Sequence, residues 1–248
     1  MAATNHSSAA KAILYAFLAN FAIALAKTWA ALLTGSGSML AEAIHSYADA
    51  GNQVLLFFGM RRALRPADRE HPLGYGKLAY IWAFVVALLL FSVGGLFSIY
   101  EGIHKLTHPE PLTSAWVGLL ILAGAVVLEG LSLLGCLREI GKVRGTKSLR
   151  NWLTHTRSAE LVVILGEDVA AIIGLVLAFC FLGLSAITGD PVFDAMGSVA
   201  IGIVLVTVSA FVAARIRSLL VGRSAEPELV ALIDEIIAAD PAIEELLN

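Results

Sequence analysis

A short polar stretch separates two apolar runs in the first quarter of the chain. Residues 41–53 read AEAIHSYADAGNQ. In an α-helix, residues four apart share a face, so His45 and Asp49 project side by side and Asn52 continues their stripe. An imidazole nitrogen and a carboxylate oxygen at this spacing can both bind a divalent cation such as Zn²⁺. The competing interpretation is a hydrogen-bonded His–Asp pair that only holds helices together.

Two adjacent carboxylates, Glu167 and Asp168, stand in a second apolar run, LVVILGEDVAAIIG, at 161–174. On a helix they point about 100° apart. One can therefore face a site shared with the first polar stretch while the other faces a water-filled path or a neighbouring helix. The alternative is that protonation or Lys27 neutralises both. Because ionisable residues inside membrane segments are usually functional, we favour the first interpretation.

Two further acidic residues carry weaker signals. Glu129 stands in an apolar run, where it either joins helices by hydrogen bonds or carries protons. Asp194 lies in GDPVFDAMGS at 189–198. We expect it to cap the start of the last apolar run rather than to bind metal.

The elements that position these groups are predicted to lie in a membrane. Hydrophobic residues make up 58% of the chain and charged residues 15%, and the mean hydropathy is +0.81, which excludes an ordinary soluble domain. Six apolar segments are long enough to cross a hydrocarbon core of about 30 Å as helices. They are approximately 12–34, 39–60, 78–103, 113–137, 159–184 and 192–214. The sequence predicts an all-α membrane protein, a six-transmembrane-helix bundle.

The basic residues predict the orientation of this bundle. All of the 17 Lys and Arg residues except Lys27 and Lys105 lie before the first span, after the sixth, or in the second-to-third and fourth-to-fifth connections. Basic residues collect on the side of the membrane where the chain is made, so both termini are expected to be cytoplasmic. The basic connection 138–158 is predicted to be a solvated loop, with contact to anionic lipid as the alternative.

The composition changes after Arg223. Residues 1–223 are assigned to the transmembrane domain, and residues 224–248 show apolar positions at helical spacing with an acidic face. The second segment is interpreted as the first helix of a cytoplasmic C-terminal domain. A lone amphipathic helix cannot bury its apolar stripe, so we expect either that this domain is truncated or that the helix docks on a partner.

Four motifs make the chain similar to a known family, the cation diffusion facilitators. They are HSYAD in span two, REHPLGYGKLAYIWA before and into span three, the carboxylate of span five, and GDPVFDAMGS before span six. The longer matches HSYADAGNQ, SAITGDPVFDAMGS and LVGRSAEPELV most resemble the zinc transporter 9-like branch. The resemblance covers essentially the whole chain. It implies a homodimeric, six-helix metal/proton antiporter with a cytoplasmic C-terminal domain.

The resemblance also implies a set of metal ligands. The family's two ligands in span two match His45 and Asp49, and its Asp in span five matches Asp168. The fourth family ligand falls at Ile164, which cannot bind metal. Candidates for the missing donor are Glu167, which we prefer, and Asn52, Glu129 or water. A site with more oxygen and less nitrogen would accept Mn²⁺ or Fe²⁺ more readily than an all-imidazole site.

A second, weaker metal site is suggested in the connection between spans two and three. Some family members bind metal there, and this chain offers Asp68 and His71, with Tyr75 where a further His can stand. The alternative is that Asp68 and His71 organise the loop, in which Gly74 and Gly76 favour a tight turn.

The sequence thus predicts a secondary transporter, not an enzyme, that exports divalent metal, Zn²⁺ first, in exchange for protons. Metal and protons compete because ligands must lose protons to bind metal, and His45 is the pH-sensitive member. The sequence contains no phosphate-binding loop of the kind that would indicate an ATP-driven pump. We expect a bacterial inner membrane, no prosthetic group and no nucleic-acid partner. A non-transporting metal sensor or scaffold is the alternative, and an intramembrane hydrolase would need an H-E-x-x-H motif that is missing.

Overall fold

The computed structural model describes residues 2–222, 224 and 227–239, and side chains within these ranges except at 2–16, 19 and 227–229. The domain boundary predicted at 223 and the end of the predicted tail, 240–248, lie outside the described residues. Within them the chain is helical and forms no strand. The all-α fold class is therefore confirmed.

Five of the six predicted apolar segments lie wholly within longer helical stretches, because the apolar window marks only the part suited to hydrocarbon. The fourth, 113–137, begins two residues before its helix, Ala115–Arg144. A π-helical segment, Leu90–Leu96, joins the helix Leu78–Leu89 to the helix Phe97–Thr107 without a break. The α-helices described are α1 Ala2–Thr34, α2 Gly37–Ala63, α3 Leu78–Leu89, α4 Phe97–Thr107, α5 Ala115–Arg144, α6 Leu149–His155, α7 Ala159–Thr188, α8 Val192–Val221 and α9 Pro227–Ala238.

Four helical stretches among the described residues are long and apolar enough to cross a membrane. They are Leu78–Thr107, Ala115–Arg144, Ala159–Thr188 and Val192–Val221. The described apolar part of α1, Asn20–Thr34, is shorter, and α2 is less apolar than the four. The low hydropathy of α2 has a direct cause, since this helix carries the polar stretch at 41–53.

The helices α2, α7 and α8 form the centre of the bundle. The α1 helix packs between α2 and α5, α5 packs on α7, and the continuous α3–α4 segment packs on α2 and α8. One large apolar cluster fills the half of the bundle where α2 and α8 begin. Its members include Met39, Leu122, Leu175, Leu182 and Leu205.

Small residues let α4 and the π-helical segment before it approach α8 closely. A Cβ atom at Gly102 would lie 2.8 Å from the carbonyl oxygen of Ala195, and one at Gly202 would lie 2.8 Å from that of Gly95. No larger side chain fits at these positions without moving a backbone. Such small-residue contacts are a usual way for helices to pack in a membrane, where lipid tails are as apolar as Leu.

The connection 138–158 differs from the solvated loop predicted for it. Its first residues continue α5 to Arg144, and α6 occupies half of the remainder. Ser148 caps α6 by accepting a hydrogen bond from the backbone N–H of Asn151 at 3.2 Å. Trp152 is buried against Cys136 and Ile140. The basic composition hid this helix because only a few of its side chains are apolar.

Asp194 stabilises a different helix from the one predicted. It lies in the first turn of α8, but its carboxylate receives hydrogen bonds from the start of α2, namely from Ser36 Oγ at 2.6 Å, from the Gly37 backbone N–H at 2.7 Å and from Ser38 Oγ. Ser36 in turn accepts from the Met39 N–H. The prediction of a cap on α8 was wrong because the residues that need a charged acceptor are 156 or more positions away.

We predict that Asp194→Ala lowers the free energy of unfolding by about 2 to 4 kcal/mol, because three buried donors lose a charged acceptor. Asp190→Ala is the matched control, since Asp190 is exposed and accepts one described backbone hydrogen bond, from Val192. It should change stability by less than about 1 kcal/mol. Unfolding in detergent, followed by tryptophan fluorescence, measures both. Equal effects of the two substitutions would contradict the assignment.

Candidate metal site

The α2 helix presents His45 and Asp49 on one face, as predicted. His45 Nε2 lies 3.5 Å from Asp49 Oδ2, and both residues are buried. Neither ring nitrogen of His45, nor Oδ1 of Asp49, has a hydrogen bond to another described residue. Buried polar atoms are nearly always hydrogen-bonded, so a group of such atoms indicates a place for an ion or water.

The α7 helix brings Glu167 and Asp168 to the same region, each with one neighbour. Glu167 Oε1 accepts a hydrogen bond of 2.7 Å from Asn52 Nδ2, so the two tentative ligands contact each other. Asp168 Oδ1 accepts a hydrogen bond of 3.1 Å from Ser132 Oγ. Asp168 Oδ2 has no hydrogen bond to a described residue.

A cavity of about 210 Å³ joins α1, α2, α5 and α7 at this point. Its polar lining comes from Asn20, Asp49, Gln53, Glu129, Ser132, Glu167 and Asp168. His45 does not line the cavity and lies one helical turn before Asp49 on α2. Along α2 the cavity extends to Met60, three residues before the helix ends at Ala63, so it leads toward the basic end of this helix.

Of the predicted ligands, Asp49, Glu167 and Asp168 line this cavity, whereas His45 and Asn52 do not, and the set does not converge on one point. No three His, Cys, Asp or Glu side chains come close enough to hold a metal ion anywhere in the described part of the chain. Ile164 lines the cavity with Asp168 and Glu167 and provides no donor atom. The arrangement therefore offers oxygen-rich donors on α2 and α7, and assembling them requires the two helices or their side chains to move.

The site contains residues that the sequence analysis missed. Gln53 and Ser132 both line the cavity, and Gln53 Oε1 has no described hydrogen-bond partner. Gln53 lies four residues after Asp49, on the same helix face, so helical spacing alone could have found it. Ser132 could not be found in this way because only tertiary packing brings it to Asp168.

Lys27 does not neutralise Glu167 and Asp168, contrary to the alternative considered above. Its Nζ lies 3.0 Å from Glu42 Oε2 and donates a hydrogen bond of 2.8 Å to Ser46 Oγ. All three residues are buried. The net charge of the carboxylates around the cavity is therefore balanced by other means, which can be protons or a bound cation.

The second predicted site, at Asp68 and His71, is an exposed, hydrogen-bonded turn. Asp68 accepts from the backbone N–H groups of Glu70 at 3.0 Å and His71 at 2.7 Å, and from Tyr75 Oη at 2.7 Å. The His71 ring packs on the Tyr75 ring. The hydrogen bond from Tyr75 is the main reason that the pKa of Asp68 lies below its ordinary value, and it raises the pKa of Tyr75.

Comparison with known proteins gives one family. The cation efflux transmembrane domain matches residues 13–221. A proton-coupled zinc antiporter of Xenopus laevis mitochondria, SLC30A9, is 38% identical over 222 residues, which are 89% of this chain and 40% of that protein. Its Homo sapiens counterpart is 35% identical over 238 residues, 95% of this chain and 42% of that protein. The cation-efflux pump FieF of Klebsiella pneumoniae is 32% identical over 137 residues, 55% of this chain and 45% of that protein.

The aligned region is thus less than half of the length of each of these relatives. The match to the cation efflux transmembrane domain, residues 13–221, includes every residue that lines the cavity. The two zinc antiporters are named as mitochondrial proteins. These names give no support to the predicted bacterial inner membrane.

We predict that Tyr75→Phe raises the pKa of Asp68, because it removes the strongest hydrogen bond to the charged carboxylate. His71→Ala is the control and should raise it less, since the backbone N–H at residue 71 remains. A carboxylate whose pKa is depressed by folding stabilises the fold at pH values above its pKa in the unfolded chain, about 3.9. This contribution is lost as the pH falls through the pKa in the folded chain. The loop should therefore open at a higher pH in Tyr75→Phe. Carboxyl NMR of labelled Asp measures the titration, and a larger effect of His71→Ala would contradict the assignment.

Proposed function

The chain belongs to the cation efflux family, and on that basis we propose that it exports divalent metal ions from the cytoplasmic side of a membrane in exchange for protons. The observation that carries the proposal is the cavity in which Asp49 of α2 faces Glu167 and Asp168 of α7. With Glu129 of α5, four carboxylates line this space, which is favourable only when protons or a cation balance them. The relatives' names, proton-coupled zinc antiporter and cation-efflux pump, agree with this chemistry.

The transport cycle follows from the groups around the cavity. Metal enters along α2 from its basic end and displaces protons from the carboxylates and from His45, because each ligand must be unprotonated to bind. The ligands of α2 and α7 then close on the ion. Rearrangement of the helices opens the opposite face, the metal leaves, and protons return to the same groups. No covalent step is required, so the protein acts as a transporter and not as an enzyme.

We propose that α1 and α2 add two membrane spans to the four that are apolar by composition. The α2 helix has 27 residues, about 40 Å at 1.5 Å per residue, which is sufficient to cross a bilayer. Its polar residues face other helices, since Glu42, His45 and Asn52 are all buried. With six spans, the basic segments after α2, α5 and α8 and both termini lie on the side where the chain is made.

We also propose that residues 1–223 form the transmembrane domain and residues 224–248 begin a separate cytoplasmic domain, and that the protein is a homodimer. The described part of α9 supports this assembly, because Leu232, Ile233 and Ile236 are exposed on it and an amphipathic helix requires a partner surface. The mass of the protein in lipid nanodiscs tests the proposal, and a monomer there would contradict it.

Zn²⁺ is the proposed main substrate. The zinc antiporters named above support it, and a site that combines one imidazole with carboxylates suits a borderline cation. Because oxygen donors outnumber nitrogen donors around the cavity, we propose that Mn²⁺ and Fe²⁺ are also accepted. No resident cofactor is required for this activity, and no relative's name supports a non-transporting sensor.

We predict that wild-type protein in sealed proteoliposomes transports Zn²⁺ in exchange for protons when a proton gradient is imposed. His45→Ala and Asp49→Ala should each reduce the rate by more than about tenfold, because water cannot replace a lost ligand without weakening the site. A metal-sensitive dye in the lumen measures the rate. Glu139→Gln is the control, since Glu139 is exposed on α5 and pairs with Lys142. Near-normal flux in either variant removes that residue from the site, and absence of flux in wild type contradicts the function.

The gap at Ile164 generates a second prediction for the same site. If Glu167 supplies the missing donor, Glu167→Gln should weaken Zn²⁺ binding and reduce the protons released per metal, whereas Ile164→His should strengthen binding by adding an imidazole. Calorimetry in buffers of different ionisation enthalpy measures affinity and proton release together. An unchanged affinity and proton count in Glu167→Gln would leave Asn52, Glu129 or water as the donor.

A further inference from the structure

A buried ion pair lies on the side of the metal site opposite the cavity. Lys27 of α1 and Glu42 of α2 are both completely inaccessible to solvent, with 3.0 Å between Nζ and Oε2. Lys27 also donates to Ser46, one turn after Glu42 on α2. This pair is not used in the transport cycle described above, and the sequence analysis assigned it no role.

The pair lies within a continuous polar stripe on α2, to which Glu42 belongs. Ser38, Glu42, Ser46 and Asp49 follow one another at spacings of four, four and three residues, so they lie along one helix face. All four are buried. The stripe joins Asp49 to the start of α2, where Ser38 contacts Asp194. From Asp49 the cavity continues in the other direction, toward Met60. Apolar side chains of the large core cluster surround the stripe, including Met39 and Leu175.

The packing around Glu42 accommodates the carboxylate specifically. Glu42 Oε1 has no hydrogen bond to a described residue. It lies against α7 at Gly174, where even a Cβ atom would overlap with it. The Glu42 carboxylate has lost its hydration, and only one of its two oxygens has a described hydrogen-bond partner. This is unfavourable for a residue whose purpose is to stabilise the fold.

We propose that Lys27 and Glu42 form the exit-side barrier of the transporter. The Lys27 ammonium pairs with the Glu42 carboxylate, which lies on the path by which the metal leaves, and so prevents the metal from binding there. This inference rests on the proposed function. In the conformation described, the barrier is closed and the cavity is open toward the basic end of α2. Metal at Asp49 is repelled by the Lys27 charge and leaves only after Lys27 separates from Glu42.

An ion pair suits this role better than apolar packing does. A buried pair is often no more stabilising than apolar residues of similar volume, because both charges lose their hydration. Its attraction depends on charge and distance, however, so a small helix movement opens it. An apolar barrier would oppose the metal only through the cost of removing its hydration, and it would carry no charge that repels the metal. The pair thus combines closure with repulsion of the transported charge.

The test uses a thiol at the level of the metal site as a reporter of access from the exit side. The native cysteines, Cys136 and Cys180, are replaced by Ser, and Gln53→Cys places a reporter on the cavity wall. Sealed vesicles oriented with the basic loops inside receive a membrane-impermeant maleimide from outside, and permeabilised vesicles give complete labelling. We predict that Lys27→Met combined with Glu42→Gln increases the labelling rate about tenfold, within the range by which coupled positions change such equilibria.

Two further variants make the result decisive. Exchanging the charges, Lys27→Glu with Glu42→Lys, should restore slow labelling, which a purely structural role does not require. Lys105→Met is the matched control, since Lys105 contacts the Gly35 carbonyl near the start of α2 but lies off the stripe, and it should label at the parent rate. If the neutral pair labels no faster than its parent, the barrier is refuted. If the neutral double variant does not fold, the labelling rate of Glu42→Gln alone is compared with that of the parent, and an unchanged rate refutes the barrier in the same way. Labelling requires no transport, so it fails or succeeds independently of the Zn²⁺ flux.

Discussion

The cost of placing charge in a membrane interior determines how this bundle is built. An ionised carboxylate or ammonium that leaves water must recover the lost hydration from a partner, a set of hydrogen bonds or a bound ion. The described part of the chain buries five carboxylates near α2, at Glu42, Asp49, Glu129, Glu167 and Asp168, and a sixth at Asp194. The way in which each one is compensated separates the structural part of the bundle from the part that carries the proposed chemistry.

The α2 helix contains this division within its own length. At its start, Asp194 receives three hydrogen bonds, and its demand for donors is met entirely by the chain. One turn later, Glu42 is compensated by Lys27, a cation that can move. Further along, His45 and Asp49 retain atoms without a described hydrogen bond. The hydrogen bonds and opposite charges that the protein supplies to buried polar groups thus decrease from the start of α2 toward the cavity. The residues with the fewest such partners are those that would bind the transported cation.

The sequence was sufficient for the features that depend on local spacing. The apolar windows identified the helices that form the bundle, and helical periodicity placed His45 beside Asp49. It could not identify contacts between residues distant along the chain. The Lys27–Glu42 pair, the Ser132–Asp168 hydrogen bond and the assignment of Asp194 to α2 all depend on tertiary packing. The α6 helix was missed for a different reason, because a short basic helix has the composition of a loop. Ile164 lines the cavity but provides no donor atom, so the proposed donor set is left to Glu167 and its neighbours.

The absence of convergence among the candidate ligands in the described residues follows from the same physical constraint. Carboxylates on α2 and α7 repel one another if ionised, so their close approach is unfavourable unless protons or a cation balance them. Each instead takes a local neighbour, as Glu167 does with Asn52 and Asp168 with Ser132. These neighbours donate one hydrogen bond each, which a divalent ion can replace. Binding would then pull α2 and α7 together at the level of Asp49. The Lys27–Glu42 pair lies on the same face of α2, two turns away, so a movement that assembles the metal site also acts directly on the contact that closes the far side.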